Sequence, residues 1–165
     1  MRDPRRSGWP LGLVIVLLLV LHFYVRPRLY AGPGAPDFLL IALLVLALRT
    51  RPGTAAMAGF VAGLVTDVLS PVRIGAGALV TTVVAYLAAW GRAIFFPENL
   101  LVNTLVFAAG TLVRNVFLAV AAGGTAGTVL SGLGPASLLQ ALTTAAFGFL
   151  VSLGLRSRTD TRLEA

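Results

Sequence analysis

The sequence lacks cysteine and lysine and has a single histidine among its 165 residues. Without cysteine the chain can form neither a disulfide framework nor a thiolate metal or redox site. The lone histidine, His22, excludes the histidine clusters that zinc and non-haem iron sites use. We therefore expect no cofactor and no metal centre.

Charged residues are also scarce, at 12% of the chain, whereas 58% of the residues are hydrophobic and the mean hydropathy is +0.92. This is the composition of a membrane protein. The formal net charge is +7, and all the basic residues are arginines in short clusters between apolar segments. They form no basic stripe and are not interleaved with aromatic residues, so they indicate membrane topology and not nucleic-acid binding.

Apolar segments divide the chain into six predicted transmembrane helices. They lack the period-two alternation of a membrane barrel, and lipid favours helices because backbone groups must be satisfied internally. The second segment is short for a span, which indicates either a locally thinned bilayer or irregular backbone shielded by neighbouring helices. Together the segments form a single integral membrane domain over residues 1–165, with spans at about 9–25, 37–48, 54–70, 74–91, 99–122 and 135–155.

Arginine placement predicts that both termini are cytoplasmic, as the excess of arginine on one side indicates. Arg5 and Arg6 precede a leucine-rich run, which raises the alternative of a cleaved signal peptide. The poor cleavage site and the apolar segments that follow favour a retained first span. In this topology one arginine, Arg114, lies within a span; three lie outside (Arg26, Arg28, Arg73) and nine inside (Arg2, Arg5, Arg6, Arg49, Arg51, Arg92, Arg156, Arg158, Arg162).

The third segment carries small residues at a spacing of four, including Gly59 and Gly63 in a G-x-x-x-G pattern, and this stripe leads to Asp67. In a helix such residues form one slowly winding stripe that lets another backbone approach closely. Two alternatives follow from the pattern. The stripe packs inside the bundle, or it forms a face for a partner helix.

Asp67 and Arg114 are charges at membrane depth, where an ionised group needs a partner. Their depths toward the outer leaflet are similar, roughly 7 Å and roughly 5 Å beyond the middle of their helices, so we predict an ion pair between them. Arg73 and water are the alternative partners of Asp67. His22 is expected in the interfacial aromatic belt. These residues compose no nucleophile and base set, so we predict that the protein is not an enzyme.

The stretch "AGFVAGLVTDVLSPVRIGAGALVTTVVAYL", residues 58–87, resembles the signature of the rod shape-determining protein MreD family. The entry to the second span, Pro36 and Asp37, is also similar to this family. The matching residues are Gly59, Phe60, Gly63, Leu64 and Asp67, followed by Gly75, Ala78 and Leu79. They are expected to serve helix packing or a partner interface.

The resemblance implies a non-catalytic scaffold subunit of the bacterial cell-elongation machinery in the inner membrane. Such a subunit would bind the single-span protein MreC and help maintain cell shape and direct lateral peptidoglycan synthesis. Further partners would be RodA and a class B penicillin-binding protein, with MreB engaged indirectly. The family's fold is similar to the substrate-binding subunits of energy-coupling-factor transporters, so vitamin binding for such a transporter is the alternative function.

Overall fold

The structure is a computed structural model and describes residues 9–25, 28, 34–69, 75–94, 99–121, 123–124 and 126–160. Within these ranges the chain forms helices and no β-strand, so the prediction of an all-α protein is confirmed for them. The helices are α1 (Trp9–Val20), continued by a π-helical segment (Leu21–Val25), α2 (Phe38–Ala47), α3 (Pro52–Leu69), α4 (Ala76–Ile94), α5 (Leu100–Ala121), α6 (Ala126–Ser131) and α7 (Pro135–Asp160).

Each of the six segments predicted as a span contains a helix in this structure. Three helices in the described part of the chain are long and apolar enough to cross a membrane, namely Pro52–Leu69, Leu100–Ala121 and Pro135–Arg156. Leu11–Val25 and Phe38–Ala47 are apolar but shorter. The six-span count and the cytoplasmic termini therefore stay predictions.

The short helix α2 forms the centre of the bundle. It packs against α1, α3, α4, α5 and α7, and nearly all its side chains are buried, with Ile41 and Leu44 fully inaccessible. A helix that is apolar on every side is expected in such a central position. Its 10 residues span about 15 Å, so α2 is shorter than the hydrocarbon core.

The residues that precede α2 explain how so short a helix is accommodated. Gly34, Ala35 and Asp37 lie outside α-helical geometry and are nevertheless buried. The hydroxyl of Thr143 on α7 donates to the carbonyl of Gly34 at 2.9 Å, and the amide of Asp37 donates to the hydroxyl of Thr144 at 3.2 Å. This is the second alternative for the short segment, irregular backbone whose polar groups neighbouring helices satisfy.

α3 and α4 form the most extensive helix pair of the bundle. The predicted small-residue stripe of α3 is buried in this pair, since Ala55, Gly59 and Gly63 all face inward. A Cβ at Gly63 would collide with the backbone of Ala78 on α4, and one at Gly59 would collide with the carbonyl of Thr81. The stripe therefore serves packing inside the bundle, the first of the two alternatives.

The long connection between α5 and α7 is not entirely irregular, because it contains the short helix α6. α6 packs against α5. Gly132, which follows α6, is buried and lies so close to the backbone of α5 at Asn115 and Val116 that a Cβ would have little room. This glycine allows the connection to approach α5 closely before α7 begins.

Candidate functional site

The most buried charge in the described part of the chain is Asp37, which has no accessible surface. Asp37 precedes α2 as its N-cap, and its Oδ1 accepts a hydrogen bond from the amide of Leu40 at 3.1 Å. Its other oxygen, Oδ2, lies 2.9 Å from Nη1 of Arg114 on α5. Aspartate is a preferred N-cap residue, and an ion pair is the arrangement that makes two buried charges tolerable.

Four structural elements meet at Asp37. The carboxylate joins the start of α2 to α5 through Arg114, and the amide joins it to α7 through Thr144, which is fully buried. The π-helical segment contributes His22, whose Nδ1 lies 3.4 Å from Oδ1 of Asp37. We call this group, Asp37 with His22, Arg114 and Thr144, the Asp37 cluster.

His22 is buried, with 9% of its surface exposed, so the prediction that it lies in an interfacial aromatic belt is wrong. Its Nδ1 accepts a hydrogen bond from the amide of Leu39 at 3.2 Å, and its ring makes an edge contact with Phe23 at 5.1 Å between centroids. A nitrogen that accepts from Leu39 cannot donate to Asp37 at the same time, which assigns the proton of a neutral His22 to Nε2. His22 therefore satisfies an otherwise orphaned amide in the first turn of α2.

A second polar group lies next to Arg114 along the α5 and α7 interface. The side-chain amide of Asn115 donates to Oε1 of Gln140 at 2.9 Å and to the hydroxyl of Ser137 at 3.1 Å. These side chains are half-buried, as is Arg114, whose side chain is 17% exposed. Hydrogen bonds of this kind hold helices together in lipid, where polar groups have few other partners.

The predicted ion pair between Asp67 and Arg114 is wrong, because Arg114 pairs with Asp37. Asp67 instead caps the start of α4. Its Oδ2 accepts from the amides of Gly75 at 2.9 Å and Ala78 at 3.0 Å, and its Oδ1 accepts from the amide of Gly77 at 3.0 Å. The free amides and the positive end of the helix dipole at an N-terminus favour a carboxylate there. The other predicted partner, Arg73, lies outside the described residues.

Two glycines make this cap possible. Gly75 has φ of +96°, a conformation that residues with a Cβ rarely adopt. Gly77 lies against the carboxylate of Asp67, so a Cβ at this position would collide with Oδ1. The spacing between the acid and the glycine-rich start of α4 therefore serves one structural purpose, the capping of α4 by the end of α3.

The remaining signature residues are divided between the inside and the outside of the helix pair. Ala78 is buried against α3, at 2% exposure. Phe60 and Leu64 on α3 and Leu79 on α4 are 44%, 38% and 59% exposed. Helical geometry places all three on the side of the α3 and α4 pair that faces away from α2. We call these three residues the outer face of the α3 and α4 pair.

The sequence interpretation missed the partner of Asp37 and the role of Thr81. Pro36 and Asp37 were placed at the entry of the second span, and Pro36 is half-buried there. An aspartate directly before "FLL" is a recognised helix-start signal and would have identified the N-cap. Thr81 is 1% exposed, and its hydroxyl donates to the carbonyl of Gly59 across the helix pair at 2.7 Å. A threonine in an apolar helix carries no comparable signal.

The chemistry of these groups is structural. In the described part of the chain, no three histidine, cysteine, aspartate or glutamate side chains lie together in a way that could hold a metal ion. The carboxylates of Asp37 and Asp67 are both engaged, one by a guanidinium and one by backbone amides. The arrangement defines a helical membrane protein whose buried polar groups join and cap its helices.

Comparison with protein families identifies the group to which this protein belongs. The model of the family described as rod shape-determining protein MreD matches residues 6–158, which is nearly the whole chain. The chain belongs to the MreD family, so the resemblance found in the signature stretch is confirmed, and with it a role in the rod-shape system of cell elongation. Neither the curated proteins nor the solved structures gave a match.

Proposed function

We propose that this protein is a non-catalytic scaffold of the cell-elongation machinery, a multi-pass protein of the bacterial inner membrane that binds an MreC-like single-span protein. The observation that carries the proposal is the match of residues 6–158 to a family of shape-determining membrane proteins. The engagement of the buried charges in helix caps and helix contacts agrees with a structural role.

The outer face of the α3 and α4 pair is the surface that we propose for the partner helix. Gly59 and Gly63 are used in internal packing, whereas the large apolar residues of the signature keep 38% to 59% of their surface exposed. Phe60, Leu64 and Leu79 project away from α2. A partner helix in lipid associates by close packing, and exposed apolar side chains on a closely packed helix pair suit such packing.

Site-specific photo-crosslinking in a rod-shaped host tests this surface. A photoreactive phenylalanine analogue at position 60, 64 or 79 is expected to crosslink to the MreC homologue. The matched controls are Leu101 on α5 and Leu142 on α7, which are 70% and 67% exposed on other helices. Crosslinks from the control positions alone would show that the partner binds another face of the bundle. If the MreC homologue neither crosslinks to any position nor co-purifies with the protein, the proposal is overturned.

The proposed topology has six spans with both termini in the cytoplasm, which rests on the excess of arginine in the segments assigned to the inside. RodA, a class B penicillin-binding protein and MreB would then be reached through the MreC-like partner or from the adjacent membrane.

The alternative function, vitamin binding for an energy-coupling-factor transporter, finds little support in the polar side chains near α5. Arg114, the cation best placed to bind a ligand, is engaged by Asp37.

A further inference from the structure

The ends of α2 and α4 place two arginines on the same side of the bundle. Arg49 follows α2, and Arg92 lies in the last turn of α4. Partial burial and then the positive charge of Arg92 lower the pKa of Arg49. Among the side chains that the structure describes, neither arginine forms an ion pair with an acid, and Asp37 and Asp67 are engaged at the other end of these helices.

An apolar cleft lies one to two helical turns before these arginines. It lies between α2, α4 and α5, has a volume of about 170 Å³, and includes Leu44, Ala88, Ala109 and Val113 among its lining residues. Every residue of the lining is apolar. Arg92 follows Ala88 by four residues and Arg49 follows Leu44 by five, so each arginine stands about 6 to 8 Å beyond the cleft along its helix.

The direction of Arg92 follows from the buried face of α4. Ala85 and Ala88 are buried on that face, and Arg92 occupies the next position of the same row at a spacing of three and four residues. Arg92 therefore extends the face of α4 that packs against α3 at Gly59. Since α2 and α4 run in the same direction, Arg49 and Arg92 both lie beyond the same end of the cleft.

We propose that this site binds an anionic phospholipid, with the phosphate between Arg49 and Arg92 and part of an acyl chain in the cleft. Two neighbouring cations repel each other, and an anion between them removes that repulsion. Guanidinium groups bind phosphate oxygens through two parallel hydrogen bonds. The volume of the cleft, about 170 Å³, suits part of a hydrocarbon chain better than a helix, whose diameter with side chains is about 10 to 12 Å.

Native mass spectrometry of the full chain released from detergent micelles tests the proposal. The protein is titrated with phosphatidylglycerol and, separately, with phosphatidylcholine of the same chain length. We expect phosphatidylglycerol to bind more tightly, and Arg49→Gln and Arg92→Gln each to weaken it about fivefold. Arg51→Gln, at the other arginine of the same helix connection, is the matched control and should leave the affinity unchanged.

Further variants separate the headgroup from the acyl chain. Arg49→Lys with Arg92→Lys should retain most of the preference, which guards against a loss caused by misfolding. Ala109→Leu fills the cleft and should weaken binding of long-chain phosphatidylglycerol but not of a short-chain form. Competition by inorganic phosphate alone at low concentration would instead indicate a free-anion site and overturn the lipid assignment.

Two other outcomes would also overturn it. One is equal binding of the two lipids to the unchanged protein. The other is that Arg49 and Arg92 are needed for a dimer, or for a complex with a single-span protein, but are not needed for lipid binding. Because the test needs no elongation partner, its failure is distinguishable from failure of the proposed scaffold function.

Discussion

Nη1 of Arg114 lies 2.9 Å from Oδ2 of Asp37, and this contact joins a cation of α5 to the N-cap of the central helix α2. Asp37 has no accessible surface, whereas the Arg114 side chain retains 17%. The pair fixes the start of a helix that is too short to span the bilayer alone. Buried charge pairs often serve specificity more than stability, and here the specificity is the position at which α2 begins.

Separation of this pair is expected to destabilise the bundle strongly. Asp37→Asn or Arg114→Gln leaves the other charge buried without its partner, at a cost of about 3 kcal/mol in the free energy of unfolding. The double variant should lose clearly less than the sum of the two single losses. Unfolding by sodium dodecyl sulfate in mixed micelles measures these values, with Arg51→Gln as the exposed control. Simple additivity would contradict a direct pair.

Asp67 and Arg114 are expected to behave as independent sites. Asp67→Ala removes three acceptor contacts at the start of α4 and should cost about 1 to 2 kcal/mol. Arg114→Gln acts through Asp37, so the combined loss should equal the sum within about 0.5 kcal/mol. The same mixed-micelle titration measures it. If the double variant lost less than the sum of the two single losses by more than about 1 kcal/mol, the ion pair between Asp67 and Arg114 that the sequence predicts would be supported after all.

The helical class and the close-packed stripe were accessible from the sequence because both depend on local pattern. Long apolar runs without alternation allow only helices in lipid, and the four-residue spacing of Ala55, Gly59 and Gly63 creates a stripe on any helix. What the stripe packs against is a property of tertiary structure. The pattern itself is compatible with either alternative, and the structure places the stripe against Ala78 and Thr81 of α4.

The partners of the charged side chains were harder to predict from the sequence, because the depth of a residue along a helix axis does not specify which way its side chain points around that axis. Asp67 and Arg114 lie at similar predicted depths but point to different neighbours. The hydrogen-bond partners of Asp67 are backbone amides. Every residue type except proline has one, so a comparison of oppositely charged side chains does not identify them. Asp37 precedes a segment that is short for a span, so the sequence does not indicate the depth of its carboxylate, whereas in the structure this carboxylate is buried.

Glycines of α3 are expected to differ sharply in their tolerance of a methyl group. Gly59→Ala and Gly63→Ala place a Cβ against the backbone of α4 and should each cost about 1 to 3 kcal/mol through overpacking. Gly53→Ala, in the first turn of the same helix, meets nothing within 4 Å and should be neutral or slightly stabilising. Thermal unfolding in detergent compares the three. Equal effects at Gly53 and Gly63 would mean that α3 and α4 do not pack through the stripe.

The hydroxyl of Thr81 is expected to contribute more to stability than that of its neighbour Thr82. The hydroxyl of Thr81 lies 2.7 Å from the carbonyl of Gly59 on α3 and 2.7 Å from that of Gly77 within α4, and its single proton is shared between them. The hydroxyl of Thr82 donates to the carbonyl of Ala78 within its own helix and reaches no carbonyl of α3. Thr81→Val should therefore cost about 0.6 kcal/mol or somewhat more, because an interhelical bond in lipid is lost without a replacement from water. Thr82→Val is the isosteric control and should cost less, and Thr81→Ser should retain most of the bond. Unfolding free energies in mixed micelles measure all three variants. An equal loss in the two valine variants would show that the contact between α3 and α4 depends on shape alone and gains nothing from this hydrogen bond.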